Sequence, residues 1–235
     1  MKCYYIHLIR HGITEGNLLG QYVGSTDMPL CYEGIKNLQN LSENFEYPRA
    51  EVFYISPLKR CSETLELLYP EVQPKIVESL KECDFGYFEG KNVTELKEDK
   101  IFKEWIENGG VDAPPNGESG ADFQKRCCDA FEKIVEELMK SGITSSVIIA
   151  HGGTIMSIVT AFGLPQANFY DWMMGNGKGY TVRITPMLWM QQRKAEVINT
   201  LPLGDDRKIE GDQQQLIDFA REAANKAYEK NDEKI

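Results

Sequence analysis

Five side chains with the chemistry of a phosphate site follow short apolar runs. They are Arg10, His11, Arg60, Glu82 and His151. Arginine forks match phosphoryl oxygens in geometry and charge, and a histidine beside a bound phosphate can attack phosphorus. A carboxyl group next to such a cluster has another task, which is to protonate the leaving oxygen and then deprotonate the attacking water. The residue types therefore favour phosphoryl transfer that needs no metal ion.

Other interpretations of these residues stay open at this point. His11, His151 and Glu82 could hold a metal ion in a hydrolase, although the neighbouring arginines would repel a cation. The cluster could also bind phosphate or a partner without turning it over. Among the carboxylates, Glu82 is the first candidate for the acid, with Glu89 and Asp84 next.

The elements that must position these residues alternate between strand and helix. Apolar runs predict strands at residues 3–9, 52–55, 75–78 and 145–150, and two late strands that could pair antiparallel at 179–185 and 195–200. Helical spacing predicts helices at residues 33–45, after Pro57, as one or two short pieces within 92–108, at 121–140, after His151 and at 212–229.

This alternation predicts a three-layer α/β/α sandwich around a mostly parallel sheet. In such sheets, ligands bind beyond the carboxyl ends of the strands. Arg10 and His11 follow the first predicted strand, and His151 follows the strand at 145–150. Arg60 lies in the first helical turn after the second strand, and Glu82 lies just past the third. We therefore expect all five at one edge of the sheet.

The chain is expected to form a single domain over its 235 residues, because this length supports one large core rather than two. No internal repeat and no linker divides the sequence. An acidic helical extension is predicted from about residue 204 to 235, with the helix at 212–229 as its main element.

Composition narrows the class of protein. With 42% hydrophobic and 26% charged residues the chain is of globular type, and no apolar run reaches the roughly 18–20 residues that a membrane span needs. A formal net charge of −10 argues against a nucleic-acid partner. The six cysteines lack the spacing of a disulfide framework or a zinc site. Without a signal-peptide pattern, a reduced, cytoplasmic protein with no membrane partner is expected.

Several sequence blocks occur in the order found in one known family. They are LIRHGITEGN at 8–17, DMPL at 27–30, EG at 33–34, SPLKR at 56–60, ET at 63–64, LKE at 80–82, FG at 85–86, FEG at 88–90, GES at 117–119 and AHGG at 150–153. Together these blocks resemble the histidine phosphatase superfamily, the phosphoglycerate-mutase-like proteins. The resemblance covers residues 3 to about 160, extends more weakly to about residue 200, and implies a phosphoglycerate-mutase-like fold.

The resemblance also implies roles for individual residues. His11 would be the nucleophile that becomes phosphohistidine, and Glu82 would be the proton donor. Arg10, Arg60 and His151 would complete the phosphate pocket. Further substrate contacts are implied at Asn17, Thr14, Gly24 and Gly152. No cofactor or metal is implied, the substrate would be a small phosphorylated metabolite, and the oligomeric state is left open.

Mutases of this superfamily hold a second anionic group of the substrate with extra polar side chains. Where the mutase pattern has a tyrosine, a lysine and a small hydroxyl residue, this sequence has Phe85, Val93 and Val23. The mutase arginine pair is absent, and Arg126 stands alone in its helix. Each loss leaves a substrate group without a partner. The resemblance therefore implies a phosphatase, most similar to the α-ribazole and broad-specificity phosphatases. Mutase-type transfer and an inactive phosphate-binding protein are the alternatives.

Overall fold

A seven-stranded sheet forms the centre of the computed structural model, which describes residues 2–205. Its strands are β1 (Tyr4–Arg10), β2 (Val52–Ile55), β3 (Lys75–Ile76), β4 (Ser145–Ala150), β5 (Gly163–Leu164), β6 (Gly179–Ile184) and β7 (Ala195–Leu201). They are ordered β3-β2-β4-β1-β6-β7-β5. Four of the six neighbouring pairs in this part of the chain are parallel, and β6 runs antiparallel to β1 and β7. The predicted mostly parallel sheet is confirmed.

Helices pack on the sheet and on one another. They are α1 (Glu15–Leu18), α2 (Tyr32–Asn44), α3 (Lys59–Leu68), α4 (Val93–Leu96), α5 (Lys100–Glu107), α6 (Gly120–Ser141), α7 (Gly152–Phe162) and α8 (Pro186–Gln192). Helix α6 packs against α7, and α2 packs against α3. None of the helices within residues 2–205 combines the length and apolar character needed to cross a membrane.

Alternate side chains of the central strands enter two separate apolar cores. Ile6 and Leu8 of β1 share one core with Ile148 of β4 and with the buried face of α6 and α7. Ile9 and Ile149 enter the second core, which α3 covers. Since successive residues of a strand point to opposite faces, both faces of the sheet are buried. The result is the predicted three-layer sandwich.

One predicted strand is shorter in the structure than expected. The strand predicted at residues 75–78 is paired only over β3, because the chain then turns into a short 3₁₀ helix that buries Leu80 completely. The short helical pieces predicted within 92–108 are confirmed, and the segment divides into α4 and α5. The division arises because the side chains of Asn92 and Asp99 each cap a separate helix.

Three short elements, β5, α1 and α8, are not predicted by the apolar periodicity. Each spans only two to seven residues, too few to repeat a hydrophobic pattern. The helix predicted at 212–229 lies outside the described residues. So does the predicted acidic extension, apart from its first two residues at 204 and 205.

Candidate active site

The carboxyl ends of β1 and β4 bring two histidines together. Arg10 pairs with Ala150 across these parallel strands, so His11 and His151 leave the sheet side by side. The amide of His11 donates to the carbonyl of Ala150 (3.0 Å), and the two imidazole centroids lie 5.2 Å apart. Both side chains are buried. Residues far apart in the chain thus meet at the predicted edge of the sheet.

Hydrogen bonding sets the tautomer of His11. Its Nδ1 lies 2.6 Å from the carbonyl oxygen of Gly12, which can only accept, so Nδ1 carries the proton and donates. Burial, reinforced by the charges of Arg60 and Arg10, lowers the pKa of His11 well below its ordinary value. The ring is therefore neutral at neutral pH. Its Nε2 keeps a lone pair, as a nucleophile requires.

Arg60 is fully buried in the first turn of α3, and three acceptors fix its guanidinium. Nη2 donates to the carbonyl of Gly24 (2.7 Å), and Nη1 donates to the carbonyl of Thr26 (2.8 Å). Nε donates to Nδ1 of His151 (3.2 Å). Each terminal nitrogen of arginine carries two N–H bonds, so one on each nitrogen is left for a ligand. This is the fork that suits a phosphoryl group.

His151 braces the guanidinium of Arg60. Because the arginine Nε only donates, Nδ1 of His151 is the acceptor. In the neutral ring, Nε2 then carries the proton and donates to Oγ of Ser56 (2.7 Å). Burial lowers the pKa of His151 well below its ordinary value, and the charge of Arg60 adds to the effect. The imidazole therefore connects the end of β2 to the start of α3.

Arg10 carries a buried donor that no group in the described part of the chain satisfies. Its Nη1 donates to the carbonyl of Met174 (2.7 Å), whereas its buried Nε has no hydrogen-bond partner among residues 2–205. Gly152, the first residue of α7, lies against this group, and a β-carbon there would be 3.4 Å from the Nε. An unpaired buried cationic donor is costly. Together with Arg60, it favours binding of an anion.

Glu82 and Arg10 lie against neighbouring residues at the start of α7, Gly153 and Gly152 respectively. Against the larger effect of burial, the charge of Glu82 raises the pKa of Arg10 and of Arg60. Its Oε1 accepts from the amide of Cys83 (3.0 Å), and its Oε2 accepts from the amide of Gly153 (2.9 Å). Burial raises the pKa of Glu82 above its ordinary value, against these hydrogen bonds and the two positive charges. A raised pKa increases the protonated fraction near neutral pH, which a general acid requires.

The remaining predicted substrate contacts surround this pocket, and their polar groups are largely engaged by the protein. Thr14 is buried as the N-cap of α1 and exchanges hydrogen bonds with Asn17. The amide of Gly24 donates to Glu89, and its carbonyl accepts from Arg60. Thr14 and Gly24 therefore bond to other residues of the site, namely Asn17, Glu89 and Arg60. Direct contact between these residues and a substrate stays a prediction.

Glu89 and Asp84, the alternative candidates for the acid, form hydrogen bonds elsewhere. The carboxylate of Glu89 accepts hydrogen bonds from the amides of residues 24–26, the loop whose carbonyls hold Arg60. One oxygen of Asp84 accepts from the amide of Gly86 (2.9 Å). Glu89 thus anchors the phosphate side of the pocket. Glu82 is the carboxyl group placed beside both the arginines and the start of α7.

One buried residue of the site lies in no sequence block, namely Asn176. Its Nδ2 donates to the carbonyls of His11 (3.0 Å) and Gly12 (3.2 Å) and to Oδ1 of Asn17 (3.2 Å). The sequence at 175–179 predicts only a turn into a strand. The contact arises because β6 pairs antiparallel with β1, so that this turn lies against the end of β1.

Known proteins resemble this chain in sequence. The sequence profile of the Histidine phosphatase superfamily (branch 1) matches residues 6–196. The adenosylcobalamin/alpha-ribazole phosphatase of Escherichia coli (strain K12) is 25% identical over 176 residues, which cover 72% of this chain and 85% of that protein. The 2,3-bisphosphoglycerate-dependent phosphoglycerate mutase of Rhizobium etli is 28% identical over 167 residues, which cover 64% of this chain and 76% of that protein.

Solved structures share the fold. The alpha-ribazole phosphatase from Shigella flexneri matches with a TM-score of 0.68 and 24% identity, over 88% of this chain and 100% of that one. The predicted phosphoglycerate-mutase-like fold is confirmed, and so is the prediction of an enzyme of the phosphatase class. With most of its length matched by the family profile, the chain belongs to the histidine phosphatase superfamily, branch 1.

Proposed function

We propose that this protein is a phosphomonoester hydrolase that acts on a small phosphorylated metabolite, through a phosphohistidine on His11 and with Glu82 as the proton donor. One observation carries the proposal: a neutral imidazole with a free Nε2 lies beside the uncommitted N–H groups of Arg10 and Arg60. A carboxyl group of raised pKa stands next to them. Nucleophile, anion site and acid share one pocket.

In the first step, Nε2 of His11 attacks phosphorus in line with the ester oxygen. The P–N bond forms as the P–O bond breaks, and the ester oxygen takes the proton of Glu82 and leaves as an alcohol. Arg10 and Arg60 donate to the non-bridging oxygens of the transferred group. The carbonyl of Gly12 accepts a hydrogen bond from the Nδ1–H group throughout, and this bond stabilises the positive charge that the ring gains.

In the second step, water attacks the phosphorus of phosphohistidine. The P–N bond breaks, and its electron pair returns to Nε2 of His11. Glu82, now a carboxylate, accepts the proton of the attacking water. Inorganic phosphate leaves, and both side chains return to their starting protonation states.

Metal independence is part of the proposal. The guanidinium groups of Arg10 and Arg60 place positive charge where a metal ion would have to bind. Among residues 2–205, no group of three or more His, Cys, Asp or Glu side chains is arranged to hold a metal ion. This arrangement disfavours the alternative in which His11, His151 and Glu82 act as ligands.

Hydrolysis is favoured over mutase chemistry by two apolar side chains at positions where the mutase pattern has polar ones. Phe85 packs its ring against Tyr22 (5.1 Å between centroids), and Val93 packs on the same apolar cluster. These side chains offer no donor to a second phosphate or carboxylate. A doubly charged substrate would leave that group unpaired, at a cost of about 1–3 kcal/mol for each lost partner.

The proposal is tested by hydrolysis of p-nitrophenyl phosphate in the presence of EDTA. The wild-type protein should be active, and His11→Ala should be inactive while unfolding cooperatively. Hydrolysis by His11→Ala at the wild-type rate would contradict the nucleophile assignment, and loss of wild-type activity in EDTA would contradict metal independence. An inactive wild type that binds inorganic phosphate would favour the binding protein instead.

A further inference from the structure

The backbone segment that carries Glu82 is held by an arginine from another layer of the fold. Arg126 of α6 donates from Nη1 to the carbonyls of Ser79 (3.0 Å) and Lys81 (2.7 Å). Its Nη2 donates to the carbonyl of Glu82 itself (2.9 Å). Three carbonyls of an irregular segment thus converge on one guanidinium.

The other face of this guanidinium is fixed by Glu118. Nε of Arg126 donates to Oε1 of Glu118 (2.6 Å), and Nη2 donates to Oε2 (2.7 Å). Both side chains of this pair are largely shielded from solvent. With three carbonyls and one carboxylate, all the N–H bonds of the guanidinium are used. Arg126 therefore has no donor left for a substrate.

The carboxyl group of Glu82 is held at its other end by α7, through the amide of Gly153 (2.9 Å). Helix α6 therefore positions the backbone of the acid, whereas α7 positions its side chain. A carboxyl group can protonate a leaving oxygen only within hydrogen-bond reach. A small shift of the segment would move the acid out of line without touching His11, Arg10 or Arg60.

We propose that Arg126, oriented by Glu118, is a positioning residue for the reaction and acts through Glu82 on protonation of the leaving group. This inference rests on the proposed function, because it requires Glu82 to be the acid. It goes beyond the pocket residues, since Arg126 touches neither the phosphate site nor the nucleophile. Its loss should therefore matter most when the leaving group needs a proton.

The experiment compares kcat/KM for p-nitrophenyl phosphate and phenyl phosphate, which differ little in shape but strongly in leaving-group acidity. Arg126→Lys keeps the positive charge but removes the bidentate hydrogen bonding of the guanidinium with Glu118. We expect it to lower kcat/KM for phenyl phosphate by about 10- to 100-fold, with a much smaller effect on p-nitrophenyl phosphate. Glu118→Gln, which breaks the same fork from the other side, should give the same pattern.

A matched control is available on the far side of the sheet. Arg183 makes the same bidentate pair with Glu196 (2.9 and 2.8 Å), and it pairs across the sheet with Tyr5 near the start of β1. Arg183→Lys removes an equivalent fork far from His11. It should leave the ratio of the two kcat/KM values unchanged.

A double variant distinguishes positioning of Glu82 by Arg126 from a general effect of Arg126 on stability. In a Glu82→Gln background, Arg126→Lys should change the ratio no further, because the acid is already lost. Equal losses of Arg126→Lys on both substrates, or an undiminished effect in the Glu82→Gln background, would overturn the inference. If Glu82→Gln alone does not discriminate between the substrates, the acid assignment fails and the inference fails with it.

Discussion

The two sides of the pocket are built differently. On the phosphate side, Arg10, His11 and His151 project from the ends of two paired strands, β1 and β4. On the acid side, Glu82 lies on an irregular segment that two helices hold from opposite ends. The comparison teaches that defects on the phosphate side should affect every substrate equally. Defects on the acid side should depend on the leaving group.

After loss of the nucleophile itself, the largest effect should come from Arg60→Lys, on the phosphate side. A lysine cannot satisfy the carbonyls of Gly24 and Thr26, the ring of His151 and a phosphoryl group together. We expect kcat/KM to fall by about 10²- to 10³-fold for both aryl phosphates. A decrease in kcat/KM for phenyl phosphate alone would contradict the expectation that only defects on the acid side depend on the leaving group.

The acid side should show itself in the pH profile. Because burial raises the pKa of Glu82, the acid stays protonated to higher pH than an ordinary carboxyl group. The kcat/KM for phenyl phosphate should fall by about tenfold per pH unit once the pH exceeds that pKa. This limb should be missing in Glu82→Gln. Titration of the substrate affects the wild type and the variant equally. An identical decrease of kcat/KM in both would therefore contradict the assignment of Glu82 as the acid.

The acidic side of the profile tests the nucleophile. Burial and the two arginines lower the pKa of His11 well below its ordinary value, so its Nε2 stays unprotonated at mildly acidic pH. No loss of kcat/KM with falling pH should therefore be centred near the ordinary histidine pKa of 6.5. The prediction would be contradicted if kcat/KM of the wild type decreased near that pH and the decrease did not follow the titration of the substrate. Such a decrease would indicate a nucleophilic histidine with an ordinary pKa.

A smaller effect is expected at Asn176, which joins the phosphate side from the loop before β6. Asn176→Leu keeps the size and removes the donors to His11, Gly12 and Asn17. Losing hydrogen bonds of this kind costs about 1–2 kcal/mol, which corresponds to about a tenfold lower kcat/KM. The loss should be equal for both aryl phosphates. A leaving-group dependence would place this residue on the acid side instead.

The smallest effect on activity should come from His7→Gln, a histidine control on β1, the strand that His11 follows. Burial lowers the pKa of His7 from 6.5 to about 4, and its Nδ1 contacts Oγ1 of Thr181 at 2.9 Å. Its depressed pKa shows that burial alone does not identify a nucleophile. The variant should keep near wild-type kcat/KM.

The same variant should change stability at low pH. Below pH 6.5 the unfolded chain binds a proton at His7, whereas the folded protein does not until about pH 4. The free energy of unfolding therefore decreases as pH falls through this window, by about 3 kcal/mol from this residue. Urea unfolding at several pH values should show a shallower decrease for His7→Gln. An unchanged slope would contradict the burial argument.

The contrast between the two sides also explains what the sequence could predict. His11 and His151 follow strands with clear apolar patterns. Because ligands bind beyond the carboxyl ends of parallel strands, the sequence predicts that these two residues share one site. The partners of Glu82 are different, because Arg126 is 44 residues away and lies on a helix whose apolar pattern says nothing about its polar face. Asn176 depends on the antiparallel insertion of β6 beside β1. Contacts of this kind require the assembled fold.

In the proposed reaction, His11 carries the phosphoryl group during turnover. The most direct test mixes the protein with excess phenyl phosphate, quenches with alkali, which preserves phosphohistidine, and locates the phosphate by peptide mass spectrometry. We expect phosphate on His11 in the wild type, none in His11→Ala, and ³¹P resonances typical of an Nε2-linked phosphohistidine. Turnover without a phosphoenzyme, or phosphate on another residue, would contradict it.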